Sequence, residues 1–233
     1  MLLALSSFVV SLVIFLSNLL GIFELKAYDL LSRHLNPARP SGDTIVIIQV
    51  DQQSIEALSK EGIHWPWPRQ IYAPIVEYLS EADAVFIDIL FTEPSSYGQE
   101  DDLILATAMR KASHVYLPIF LTRQRKPMTP SDETFVTSIS VSHAGAPPPT
   151  FASAITPVDA LKGVIKGAGN VTIEPDGDGV YRSTPLVFRL QDDTIPQFVL
   201  SYLLQKGSVK IVDNTPYRGD TKIPLTSGKL LLR

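Results

Sequence analysis

The sequence predicts an α/β fold: an N-terminal transmembrane helix, then a mainly parallel sheet with flanking helices and an added β-hairpin. Three observations predict it. Residues 1–23 carry no charged side chain and are rich in Leu, Val, Ile and Phe. Two apolar runs, residues 44–50 and 84–87, each end in an aspartate, Asp51 and Asp88. These runs alternate with stretches of helical character, and alternation of that kind implies parallel strands joined by right-handed crossovers.

The chain has 233 residues, enough for one or two domains and a sizeable core. Its formal net charge of −4 provides no general attraction to nucleic acid or to an anionic membrane surface, so no nucleic-acid partner is expected. The Arg123-Gln-Arg-Lys126 cluster is too short for a basic arm and reads as a solvated loop. The absence of cysteine removes disulfides, thiolate metal sites and cysteine nucleophiles.

As a helix, residues 1–23 would extend roughly 34 Å at 1.5 Å per residue, enough to cross a hydrocarbon core of about 30 Å. The run is too long for a typical signal-peptide core, and no small-residue cleavage site follows it. It therefore reads as an uncleaved transmembrane anchor, and residues 24–43 as a juxtamembrane linker ending in the turn-rich stretch 36–42. Lys26, Arg33 and Arg39 all follow the span, so the positive-inside rule alone leans toward a cytoplasmic placement of what comes after.

Residues 44–50 read as a strand buried on both faces, and Asp51 as the N-cap of a short helix over 52–58. Pro68 suits the first turn of the next helix, expected over about 70–80 with Ile71, Ile75, Tyr78 and Leu79 on its buried face. A second strand covers 84–90. Glu100, Asp101 and Asp102 open a helix that ends in Arg110-Lys111, with charges matched to the helix dipole. A third strand covers 115–121, and the three strands are expected to be neighbours. Residues 123–149, broken by five prolines, read as a long exposed connection. Residues 169–174 and 180–190 flank Asp-Gly turns and read as a hairpin. A helix is expected over 195–205 and short strands over 209–212 and 222–225. Residues 230–233 read as a strand that has only begun, which suggests a chain cut short at its C-terminus.

Asp51 and Asp88 fall at the C-terminal ends of expected parallel strands, the rim where open α/β sheets bind ligands. Arg69 and Glu93 lie on loops able to reach the same rim. Two or three carboxylates there could hold a divalent cation, and a metal-dependent hydrolase using Asp51, Asp88 and Glu93 is the alternative function. The simpler reading makes Asp51 a helix cap and gives Arg69 an ion pair with Asp88 or Asp51. Trp65 and Trp67 alternate with prolines, so their segment is stiff and extended; the rings either form a ligand platform or cover the core. Asp176-Gly-Asp-Gly179 lacks the further ligands of a calcium loop, since the twelfth position is Val187, and reads as a plain turn. No G-x-S-x-G or Walker A pattern is present, and no cofactor is expected.

Taken in order, these motifs resemble the CHASE2 domain. The resemblance rests on the apolar leader, Tyr28-Asp29, the run ending in Asp51, Trp65-Pro-Trp-Pro-Arg69, Asp88-Ile-Leu-Phe91 and the acidic stretch opening at Glu100. Gly167-Ala-Gly-Asn170 with Asp176-Gly-Asp-Gly-Val-Tyr-Arg182 completes it. It implies an extracytoplasmic sensor over 44–233, anchored in the plasma membrane and detecting a small-molecule or physical signal. The resemblance places any cyclase or kinase activity in a separate cytoplasmic output domain, so the chain itself is expected not to be an enzyme. A homodimer is an open expectation. Asp51, Trp65, Trp67, Arg69, Asp88 and Glu93 are the candidate ligand-binding residues.

Overall fold

The computed structural model describes residues 19–35, 45–143, 147–212, 215–223, 225 and 229–231. The chain divides into two units, residues 1–50 with 176–180 and 233, and residues 51–175 with 181–232.

In the first unit, helix α1 (Leu19–Leu35) carries the chain well beyond the expected span. Residues 24–35, expected as linker, are helical. They contain no Gly or Pro and are rich in good helix formers, and the first breaker is Pro37. Of the expected transmembrane span, residues 1–18 lie outside the described residues. Among the described residues no helix is long and apolar enough to cross a membrane. Residues 45–50 do not form the expected strand. They are exposed, with Ile45 at 82 % and Ile47 at 84 %. An apolar run becomes a strand only where a neighbour supplies ladder hydrogen bonds, and among the described residues this run has none. The turn over 176–180 is closed by Gly179 N–H to the Asp176 carbonyl and Asp176 N–H to the Val180 carbonyl, both 2.9 Å.

The second unit opens with α2 (Gln52–Lys60), capped as expected by Asp51. A 3-10 turn (Arg69–Ile71) leads into α3 (Tyr72–Tyr78). The buried face of α3 is Tyr72, Ala73 and Val76, whereas Tyr78, expected inside, is 86 % exposed. The tighter 3-10 start shifts the phase of the helix that follows it.

Strand β1 (Val85–Phe86) is shorter than expected and is followed by α4 (Gln99–Ala112) and the central strand β2 (Val115–Thr122). β2 runs parallel to β1 and to β5 (Gly167–Asn170), and antiparallel to β4 (Ser153–Ile155). The expected trio of neighbouring strands is thus reduced to β1 and β2. Successive side chains of a strand alternate between faces. Val115, Leu117, Ile119 and Leu121 therefore share one face, and each is fully buried. The first two join the core with Val76, Leu105, Met109 and Leu161, and the last two a second core with Phe135, Phe188, Leu190 and Ile195.

The stretch expected to be a long loop contains α5 (Pro130–Ser138), set by a capping box between Thr129 and Asp132 with proline in the first turn. β3 (Thr150–Phe151) precedes β4, and α6 (Asp159–Lys162) precedes β5. The hairpin is not where the Asp-Gly turn placed it, because residues 167–170 pair with β2 instead. It forms between β7 (Val187–Leu190) and β8 (Asp193–Pro196), with Gln191 in a left-handed conformation at φ +53°. β6 (Ser183–Pro185) pairs with β12 (Lys229–Leu231), so the strand expected to be only beginning already has a partner. α7 (Phe198–Gln205), capped by Gln197, precedes the antiparallel β9 (Lys210–Val212), β10 (Thr215–Arg218) and β11 (Thr221–Lys222).

Candidate functional site

Prolines at 66 and 68 restrict both themselves and the residues before them to extended geometry, so Trp65 to Arg69 forms a stiff strap. The Trp65–Pro66 peptide bond is cis. The two tryptophans have different fates. Trp67 is buried at 8 % exposure, whereas Trp65 is 47 % exposed. Their rings meet edge to face at 5.4 Å, Trp67 continues to Tyr72 at 6.2 Å, and Tyr72 meets Phe91 edge to face at 5.5 Å. Burial within this aromatic row pushes the Tyr72 hydroxyl up to about 12. Among the described residues, the Trp67 indole N–H is buried without a hydrogen-bond partner.

Arg69 is buried at 7 % exposure and fixes the strap. One terminal nitrogen donates to Asp102 Oδ1 in a buried salt bridge, and the other to the Glu93 carbonyl. The guanidinium also lies over the Phe91 ring, 5.2 Å from its centroid. Next door, Asp101 Oδ2 accepts from the Arg69 backbone N–H at 2.7 Å and from the Ser95 hydroxyl, and Oδ1 accepts from the Gln70 N–H at 2.8 Å. Burial alone would push the Asp101 carboxyl up. The Ser95, Gln70 and Arg69 donors outweigh it and hold the group below the ordinary carboxylate value. Ser95 N–H donates to Asp102 Oδ2 at 3.2 Å. Two adjacent acids in the first turn of α4 thus bind three separate segments together.

This corrects the expected pairing. Arg69 is paired with neither Asp88 nor Asp51, because the N-terminal turn of α4 lies against the strap and presents its own carboxylates there. Asp51 performs a local task instead, accepting from the Ser54 N–H at 2.8 Å and hydroxyl at 2.7 Å. Those two bonds hold its carboxyl below the ordinary value. Asp88 is exposed, and Glu93 joins the network through its backbone while its side chain stays exposed. The structure therefore brings Trp67, Arg69 and the Glu93 backbone together and keeps Asp51 apart from that network. Among the described residues no group of three His, Asp or Glu side chains converges in a manner able to hold a metal ion. The metal-hydrolase alternative has no support in this arrangement.

The sequence marks Asp101 and Asp102 as acids that open a helix and not as site residues, and Ser95 carries no mark at all. A signal for them exists: Asp102 lies three and seven residues before Leu105 and Met109, both fully buried. A carboxylate on that apolar helical face needs a cation, and Arg69 is the one that reaches it.

Beside the strap, an open groove of about 770 Å³ runs between α3 and α4, with Ile63, Ile71, Leu103 and Ile104 on its walls and Glu77 and Glu100 on its rim. A second cleft, at the C-terminal end of β2, has a different chemical character and is taken up below.

No curated protein and no solved structure matches the chain. A family model, that of the CHASE2 domain, matches residues 5–233. That span is essentially the entire sequence, so the chain belongs to the CHASE2 domain family, a family of extracellular sensory domains.

Proposed function

We propose that this chain is the extracytoplasmic sensory module of a membrane-bound signalling receptor, detecting a signal on behalf of a cytoplasmic output domain. The observation that carries the reading is the extent of the family match. It begins at residue 5 and takes in the charge-free apolar run together with the α/β unit. A sensory domain continuous with an apolar run of spanning length is built to sit at a membrane and to pass its state along that run.

Within this reading, the strap and the first turn of α4 form a rigid support. Arg69, Trp67 and Asp51 are committed to the fold, while Trp65, Asp88 and Glu93 present exposed groups to a ligand. The chain carries out no reaction of its own; its output is a change in the state of the membrane segment.

Fusions after residue 233 test the placement. Alkaline phosphatase, which is active only outside the cytoplasm, should be active there, and a reporter that folds only in the cytoplasm should be silent. The opposite pattern would sink the proposal. Phosphatase and esterase assays with Mg²⁺ or Mn²⁺ test the absence of chemistry. Robust turnover abolished by Asp88→Asn would replace a sensor with an enzyme.

A further inference from the structure

The cleft at the C-terminal end of β2 has a volume of about 940 Å³, within the roughly 300–1,000 Å³ range of ligand pockets. Its walls combine Arg123, Arg125 and Lys126 with Met128, Phe151 and Gln191, and one acid, Glu133, also lines it. The basic cluster that the sequence offered as a solvated loop is therefore one wall of a concave site.

That wall is anchored. The Lys126 N–H donates to the Ser153 hydroxyl at 2.7 Å, and the same hydroxyl donates back to the Lys126 carbonyl at 2.9 Å. Ser153 is 1 % exposed, so the anchor is a fixed part of the interior. Upstream, the Gln124 N–H donates to the Thr122 hydroxyl at 3.1 Å. The loop thus presents its cations from a fixed backbone, which lowers the ordering cost of binding.

Of the three cations, Arg123 is partly engaged. Its Nε and Nη2 donate to the two Glu174 oxygens at 2.8 and 2.9 Å, and its guanidinium lies over Phe151, 5.2 Å from the centroid. Arg125 and Lys126 form no side-chain ion pair or hydrogen bond among the described residues. Two free cations against one free acid leave the cleft with a net positive lining. Gln191 lies in the two-residue turn of the β7–β8 hairpin, which requires its positive φ. From that turn its side chain brings a flexible amide to the cleft.

We propose that this cleft binds a small organic oxyanion, a carboxylate or phosphate ester with an apolar body. Arg125 and Lys126 take the anionic group by charge-assisted hydrogen bonds, and Met128 with Phe151 takes the body. That the bound anion is the signal rests on the sensory reading above; the binding itself does not.

Direct binding to the purified full chain in neutral detergent tests this without reference to membrane topology. Calorimetry and thermal shift would use benzoate and phenyl phosphate as probes, with benzyl alcohol and benzylamine as isosteres lacking the negative charge. At least one of the two anions should bind saturably below about 10 mM, and whichever binds assigns the headgroup. The uncharged and cationic isosteres should not bind. The double substitution Arg125→Gln with Lys126→Gln should weaken binding about tenfold or more while leaving the melting temperature of the free chain unchanged, and Glu133→Gln should tighten it. Failure of both anions to bind, equal binding by benzylamine, or unaltered affinity in the double variant would overturn the proposal.

Discussion

Arg69→Ala is the most informative perturbation of the strap. It removes a guanidinium that is 7 % exposed and leaves Asp102, itself 3 % exposed, with the Ser95 N–H at 3.2 Å as its remaining donor. Removing one partner of a buried ion pair costs about 3–5 kcal/mol, because the other charge stays buried without compensation. Each kcal/mol lowers the melting temperature of a domain of this size by roughly 2–4 °C, so a fall of roughly 6–20 °C follows. Arg69→Lys keeps the charge but replaces a planar fork with one point donor. It cannot serve Asp102 and the Glu93 carbonyl in the same geometry, and it should recover only part of the loss. The double variant Arg69→Met with Asp102→Leu should be more stable than either single variant, since neither charge is then stranded. Thermal and urea melts at neutral pH, followed by circular dichroism, provide the stability of each variant and of the unsubstituted chain. A loss within about 1 kcal/mol for Arg69→Ala, the worth of an exposed pair, would refute the reasoning. So would a double variant no more stable than the better of its two single variants.

Gly169→Ala should destabilise the fold clearly, because a Cβ there would lie 2.6 Å from the Phe198 Cα and 2.9 Å from the Gln197 carbonyl oxygen, both main-chain atoms of the α7 start. Gly167→Ala meets the flexible end of Gln205 at 2.6 Å and should cost less; equal melting temperatures for the two variants would contradict the close-approach argument. Asp132 makes a second test, through pH. Burial would push its carboxyl up, but Lys162 at 2.6 Å, the Thr156 hydroxyl and Thr129 outweigh it and hold it well below 3.8. A depressed folded value means that its stabilisation is fully present above the ordinary carboxylate range and is lost as pH falls toward the folded value. Asp132→Asn should therefore be less stable at neutral pH and lose less on acidification from about pH 5 to pH 2; parallel melting-temperature curves for the two proteins would refute this.

What could be read of the fold followed the strength of the local signal. Asp51 as a cap, the helix opening at Glu100 and the strand opening at Val115 each carry local chemistry that decides their form, and each appears as expected. α5 has a local signal too, since Thr129-Pro-Ser-Asp132 is a complete capping box, but the surrounding prolines point toward a loop. Residues 45–50 failed for a different reason. An apolar run states only that it can be buried, and strand formation depends on a pairing partner that composition does not name. The hairpin was misplaced by the same logic. Asp-Gly at 176–179 is a turn, but the actual β7–β8 connection runs through Gln191, with no glycine to mark it.

The site was harder to read because its decisive partner is remote. Arg69 and Asp102 are separated by 33 positions, and the acids nearer to Arg69 at the expected strand ends offered a simpler pairing. The acids that open α4 suit the helix dipole, and that role alone names no partner for them. Asp101 and Asp102 are both buried, so each also needs hydrogen-bond donors of its own. Burial changes the meaning of the same residues, since a carboxylate at a solvated helix start needs no partner and a buried one requires several. The basic cluster at 123–126 shows the converse. Its charge was plain in the sequence, but its concavity comes from Ser153 and Phe151, about 30 residues away, and from Gln191 in a separate hairpin. Charge can be counted along a chain, whereas a binding surface depends on which distant backbone holds that charge still.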